Sequence, residues 1–133
     1  MLTIPSTVKL FAAVNPVDFR RGIDGLTAIV ESEFGIEAMS GDIFVFLNKR
    51  ANQVRLLFWE RDGFCLLTKR LEAGTFRRLK KERDGSSHVE IEPAELVLLL
   101  EGIDVASMRR RKRYVRGQAG KKIAHTVQKQ RAA

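Results

Sequence analysis

The sequence predicts an α+β domain: an antiparallel sheet of about four to six strands built around a meander, packed with two helices and followed by a basic C-terminal tail. Three observations predict it. Residues 41–71, GDIFVFLNKRANQVRLLFWERDGFCLLTKRL, hold three apolar runs separated by two polar turns. Two further segments carry apolar residues at helical spacing. Beyond Ser107 apolar residues thin out and the charge becomes uniformly positive.

The first strand is expected at Val8–Val14 and ends at Asn15-Pro16, because proline cannot donate to a ladder and biases its predecessor to extended geometry. After the turn DFRRG, Asp24 reads as an N-cap, and Leu26, Ile29, Val30 and Phe34 recur on one helical face until Gly35 stops the run. The meander follows as Ile43–Leu47, Val54–Trp59 and Phe64–Lys69, with Asn48–Gln53 and Glu60–Gly63 as its turns. Alternation puts Ile43, Val45 and Leu47 on one face and Phe44 and Phe46 on the other, and likewise Val54, Leu56 and Phe58 against Arg55, Leu57 and Trp59. Both faces are apolar, so one needs the helices of this chain and the other needs remaining chain or a partner.

Thr75–Leu79 reads as a further strand, Lys80–Ser87 (KKERDGSS) as an exposed loop, and His88–Ile91 as a short strand. Glu92-Pro93 opens the second helix with proline at its first position and Glu95 in its first turn. Leu96, Leu99, Leu100 and Ile103 form its core stripe and Gly102 its stop. Val97 and Leu98 widen the apolar arc beyond what one sheet requires, so they contact either a loop of this chain or a dimer or partner surface.

At 133 residues, 44% hydrophobic and 30% charged, the chain is one small domain. No stretch approaches the roughly 18 to 20 apolar residues of a membrane span, and the opening MLTIPSTVKLF lacks the pattern of a secretory signal, which predicts a cytoplasmic protein. Cys65 is the single cysteine, which excludes an internal disulfide framework and a cysteine-based zinc site. The net charge of +8 is unevenly placed: ten of the 24 Lys and Arg, and none of the 16 Asp and Glu, lie from Val105 onward, leaving 14 basic and 16 acidic residues in 1–104. A nearly neutral body (1–107) with a cationic appendage (108–133) points to a polyanion-binding arm.

Several runs taken together, DFRRGIDGL (Asp18–Leu26), GDIFVFLNKR (Gly41–Arg50), LLFWERDGF (Leu56–Phe64), KRLEAGTF (Lys69–Phe76) and LLLEGID (Leu98–Asp104), resemble the TnpB accessory-protein family of the insertion sequences numbered sixty-six. The residues carrying the resemblance include Asp18, Arg20, Arg21, Gly22, Asp24, Gly25, Trp59, Gly63, Phe64, Lys69 and Arg70. The resemblance spans about residues 8–104. It implies a mobile-element protein encoded beside a separate transposase and needed for transposition. It is distinct from the much longer RNA-guided nuclease that shares the TnpB label.

Candidate nucleic-acid contacts are Arg109, Arg110, Arg111, Lys112, Arg113, Arg116, Lys121 and Lys122, whose density suits displacement of counterions from a phosphate backbone and reads no sequence by itself. The alternative is a solvated tail. A second basic group, Arg77, Arg78, Lys80, Lys81 and Arg83, is diluted by Glu82 and Asp84. Lys49 and Arg50, with Arg20 and Arg21, extend a basic surface if folding brings them to one side. Asp18 and Arg20 otherwise read as a turn cap and its ion-pair partner.

Metal-dependent strand cleavage gathers several carboxylates. Asp18, Asp42, Asp62 and Glu90 qualify by residue type only, and no spacing selects a set. His88 and His125 lack nearby nucleophiles or ligands, and no phosphate-binding glycine loop or dinucleotide fingerprint occurs. No cofactor is expected. With what the resemblance implies, the expectation is a non-catalytic accessory protein of DNA transposition that binds DNA through its basic tail and whose body docks the transposase or another partner, a homodimer being a further option. The competing readings are a stand-alone DNA- or RNA-binding module and, third, a metal-dependent nuclease.

Overall fold

In a computed structural model the chain is described over residues 4–78, 85–104 and 109–110. Strand β1 (Leu10–Ala13) leads through helix α1 (Ile23–Ile29), a π-helical turn (Val30–Phe34) and a 3₁₀ turn (Ala38–Ser40) into β2 (Ile43–Leu47). β3 (Gln53–Glu60), β4 (Gly63–Arg70), β5 (His88–Ile91) and α2 (Pro93–Glu101) follow. A two-residue ladder, β6 (Ile103–Asp104) with β7 (Arg109–Arg110), comes last among the described residues.

The five strands form one sheet in the order β4-β3-β2-β1-β5. The meander β2-β3-β4 is antiparallel as expected, and β5 pairs antiparallel with β1. β1 and β2 differ from the expectation: they run parallel, Leu10 opposite Ile43 and Ala12 opposite Val45, so the sheet is mixed. The segment between them, α1 and its continuation, is the crossover that parallel strands require.

Alternation is obeyed on both sides. Phe44, Phe46 and Leu57 pack with Ala13, Val17, Leu26, Ile29, Val30 and Phe34, so α1 and the π-helical turn cover one face. On the other, Ile43, Val45, Leu47, Val54 and Leu56 pack with Leu10, Ala12, Ile91, Leu96 and Leu99 under α2. The rest of the chain thus covers much of the second face, while Leu67 of β4, on that face, stays 47% exposed. Phe76 contributes to that face at 1% exposure although it lies in no strand. The strand expected at Thr75–Leu79 is absent over Thr75–Arg78, and Leu79 lies outside the described residues. The Phe76 N–H instead donates to the Ala51 carbonyl, which pins the segment across the β2–β3 turn as a plug.

The helix ends differ in how they are made. The N-cap of α1 is Gly22, two residues before the expected Asp24: the Gly22 carbonyl accepts from the Leu26 N–H at 3.1 Å, so Asp24 sits inside the first turn rather than capping it. A carboxylate there still favours the helix dipole. A Cβ on Gly25 would come 2.7 Å from the Arg21 Cβ, which explains a glycine inside the first turns. Gly35, at φ +69°, ends the π-helical turn. In α2 the Glu92 N–H donates to Glu95 Oε1 at 3.1 Å, Gly102 adopts φ +74° at the C-terminal end, and Lys69 Nζ of β4 donates to the Leu100 carbonyl at 2.7 Å.

Candidate nucleic-acid interface

Parallel pairing brings the chain leaving β1 and the chain leaving β2 to the same end of the sheet. There the loop Val17–Arg20 and the turn Asn48–Gln53 border a hollow of about 720 Å³, with Arg55 of β3 between them. The side chains around it are Asp18, Phe19, Arg20, Asn48, Lys49, Arg50, Gln53 and Arg55. Folding therefore brings Arg20, Lys49 and Arg50 together around one hollow.

Each side of the hollow is braced. Asp18 accepts from Arg20 Nε at 3.1 Å, from Arg20 Nη2 at 2.8 Å and, through its other oxygen, from the Arg20 N–H at 2.9 Å. These bonds hold the Asp18 carboxyl well below the usual range, at about 2. Arg55 Nη1 donates to the carbonyls of Phe19 at 2.9 Å and Arg21 at 3.1 Å, and its guanidinium lies 4.3 Å over the Phe19 ring. Arg55 Nε is buried with no hydrogen-bond acceptor among the described residues. Across the hollow, Asn48 Nδ2 donates to Asn52 Oδ1 at 2.7 Å, and the Gln53 N–H donates to Asn48 Oδ1 at 3.0 Å. Ala51 turns the chain at φ +56° and is buried. Arg78 Nη2 donates to the Lys49 carbonyl.

The other expected contacts fall elsewhere. Arg77 lies half-buried beside Phe76 in sequence. Lys80, Lys81 and Arg83, and in the tail Arg111, Lys112, Arg113, Arg116, Lys121 and Lys122, lie outside the described residues. Arg109 and Arg110 form the second strand of the short C-terminal ladder. Val97 is 41% exposed and Leu98 half-buried on α2. Trp59 and Phe64 face each other across β3 and β4, edge to face at 5.0 Å, next to the tight turn at Gly63. Arg70, at the end of β4, pairs with Glu72 at 3.1 Å.

The candidate carboxylates are dispersed. Asp18 is held by Arg20, and Asp42 accepts from the Lys9 N–H and Ser40 Oγ, each at 3.0 Å. Asp62 lies in the β3–β4 turn and Glu90 on β5. Among the described residues no three His, Cys, Asp or Glu side chains converge as a metal site would need. His88 is in the core margin, stacked 4.6 Å from Phe34. No helix among the described residues is long and apolar enough to cross a membrane.

Sequence reasoning missed Arg55. Its signal was visible as a single cation inside the apolar run VRLLFW, at a position whose neighbours on that face are aromatic and aliphatic.

The comparisons with known proteins span most of the chain. A family model described as IS66 Orf2 like protein matches residues 8–110. The chain is 39% identical over 104 residues to the uncharacterized protein y4jC of Sinorhizobium fredii, covering 78% of this chain and 86% of that protein. It is 31% identical, also over 104 residues, to the uncharacterized protein y4hO of the same organism, covering 78% and 88%. No solved structure matches. With the matched span running from the approach to β1 through β7, and so taking in the sheet, both helices and every residue around the hollow, the chain belongs to the IS66 Orf2-like family of insertion-sequence proteins.

Proposed function

We propose that this protein is a non-catalytic accessory factor of insertion-sequence transposition, acting in the cytoplasm. Its folded body docks the transposase encoded in the same element, and its C-terminal segment grips DNA mainly through the phosphate backbone. The observation that carries this reading is the segregation of charge: residues 1–104 hold 14 basic and 16 acidic side chains, whereas the remainder holds ten basic and none acidic. A segment of that kind gains affinity by releasing counterions and reads no base sequence by itself.

Support for docking comes from the α2 side of the sheet. Val97, at 41% exposure, and Leu67 of β4, at 47%, leave apolar surface there that the core does not use. Leu67 pairs with Leu56, whose side chain packs on that same face. A second copy of the chain is the other candidate occupant of this surface. The accessory role needs no reactive centre.

The test compares the full chain with two variants, one in which Arg109–Arg113 are replaced by Gln and one carrying Val97→Glu. Neutralising the five cations is expected to lower affinity for duplex DNA and flatten its salt dependence. The Val97→Glu variant is expected to retain DNA binding and lose capture of the co-encoded transposase. DNA binding unaltered by the first change, or capture unaltered by the second, overturns the corresponding half of the reading.

A further inference from the structure

We propose that the hollow between Val17–Arg20 and Asn48–Gln53 is a second phosphodiester-binding site, on the folded body and independent of the C-terminal segment. Its choice of ligand rests on the DNA-binding reading above; its location rests on geometry alone.

Four cations border the hollow, Arg20, Lys49, Arg50 and Arg55, against one carboxylate, Asp18, which leaves three net positive charges. The carboxylate is already occupied, held by two nitrogens of Arg20. Arg55 spends its hydrogen bonds on two uncharged carbonyls, so its charge is not cancelled. Lys49 and Arg50 are exposed and have no side-chain ion pair or hydrogen bond among the described residues. The fold closes its turn with Asn48, Asn52 and Gln53 and does not use these two charges for that purpose.

A solvated loop would carry such charges on a loose backbone, whereas this one is fixed. Ala51 is buried and its carbonyl is held by Phe76, the Lys49 carbonyl is held by Arg78, and Arg55 ties the opposite wall to β3. Preorganised donors lose less conformational entropy when an anion arrives. The volume of about 720 Å³ falls within the roughly 300–1,000 Å³ common for ligand clefts. Asn48 and Gln53 add amide groups suited to phosphate and sugar oxygens.

Topology brings the C-terminal end of α2 back to the same end of the sheet. β5 begins beside Ala13 and ends beside Leu10, so α2 sets out from the far end and returns. Its Leu100 carbonyl is held by Lys69, which pairs with Val54, next to Gln53 at the hollow.

The experiment measures affinity of the full chain for a fluorescein-labelled random-sequence duplex, and for the single strand of the same length, across a salt series. The variants are Lys49→Gln/Arg50→Gln, the Gln replacement of Arg109–Arg113, and both together. Removing two contacts is expected to flatten the plot of log affinity against log salt by about 1.8 for duplex and by about 1.4 for single strand, in either tail background. The charge-conserving Lys49→Arg/Arg50→Lys variant should keep the original slope. A Lys49→Gln/Arg50→Gln variant with unaltered slope and affinity overturns the inference and leaves the tail reading standing. An unaltered tail variant beside an impaired hollow variant overturns the tail reading instead, and two unaltered variants overturn both.

Discussion

The guanidinium of Arg55 lies 4.3 Å over the ring of Phe19 while donating to the carbonyl of the same residue, so one side chain of β3 fixes both the ring and the backbone of the loop beyond β1. Arg55→Met is expected to lower stability by about 1–3 kcal/mol, since two charge-assisted hydrogen bonds and a cation–π contact go together. Arg55→Lys should recover only part of that, because an ammonium lacks the planar fork that stacks while it donates. Urea unfolding checks both, with amide exchange at 19–22 rising in each variant.

The Asp18–Arg20 pair should be visible in acid. Asp18 titrates at about 2 instead of the ordinary 3.8, held down by the Arg20 side chain and then by the Arg20 N–H. A depressed carboxyl contributes stability above its ordinary value and loses it as pH falls through the folded one, so the effect lies between about pH 4 and pH 2. Carboxyl NMR should place the Asp18 midpoint near 2 in the native chain and return it towards 3.8 in Arg20→Gln. Both side chains are solvent-exposed, so the titration should move much more than the unfolding midpoint does.

Phe76 is a plug rather than a strand residue, and its truncation should cost accordingly. Phe76→Ala is expected to destabilise by about 3–5 kcal/mol, the range for large buried aromatics. Val97→Ala, on exposed surface, should stay within about 0.5 kcal/mol. Denaturant midpoints of the two variants, measured side by side, decide whether the segment around Phe76 belongs to the core.

Lys69 joins β4 to the C-terminal end of α2. Lys69→Met removes a cation from the negative end of that helix and a bond to the Leu100 carbonyl, with an expected loss of about 0.3–1 kcal/mol. Faster amide exchange in the last turn of α2, with β2 and β3 unaltered, is the accompanying signature.

Much of this fold was legible in the sequence because its signals are local. The three meander strands, their two turns and the alternation of Phe44 and Phe46 against Ile43, Val45 and Leu47 follow from residue type and period. Pro93 and Gly102 bracket α2 where expected. The parallel pairing of β1 with β2 was not legible: it is set by how the crossover packs, and nothing in LFAA or IFVFL states a direction. Phe76 was misread because a buried aromatic between polar residues looks the same in a strand and in a plug. The hollow was legible only in parts. Arg20, Lys49 and Arg50 were each candidates, but their meeting depends on the parallel pair, and Arg55 passed as a face-alternating strand residue.

The order β4-β3-β2-β1-β5 also constrains how the molecule is made. The meander can assemble from neighbouring segments as they leave the ribosome, but β1, synthesised before any of them, needs β5 as its outer neighbour and must wait until residues 88–91 emerge. A chain interrupted before His88 therefore presents an unpaired rim on β1, open to any extended peptide nearby. Emergence of β5, rather than formation of the first hairpin, is what covers the β1 rim of the nascent sheet.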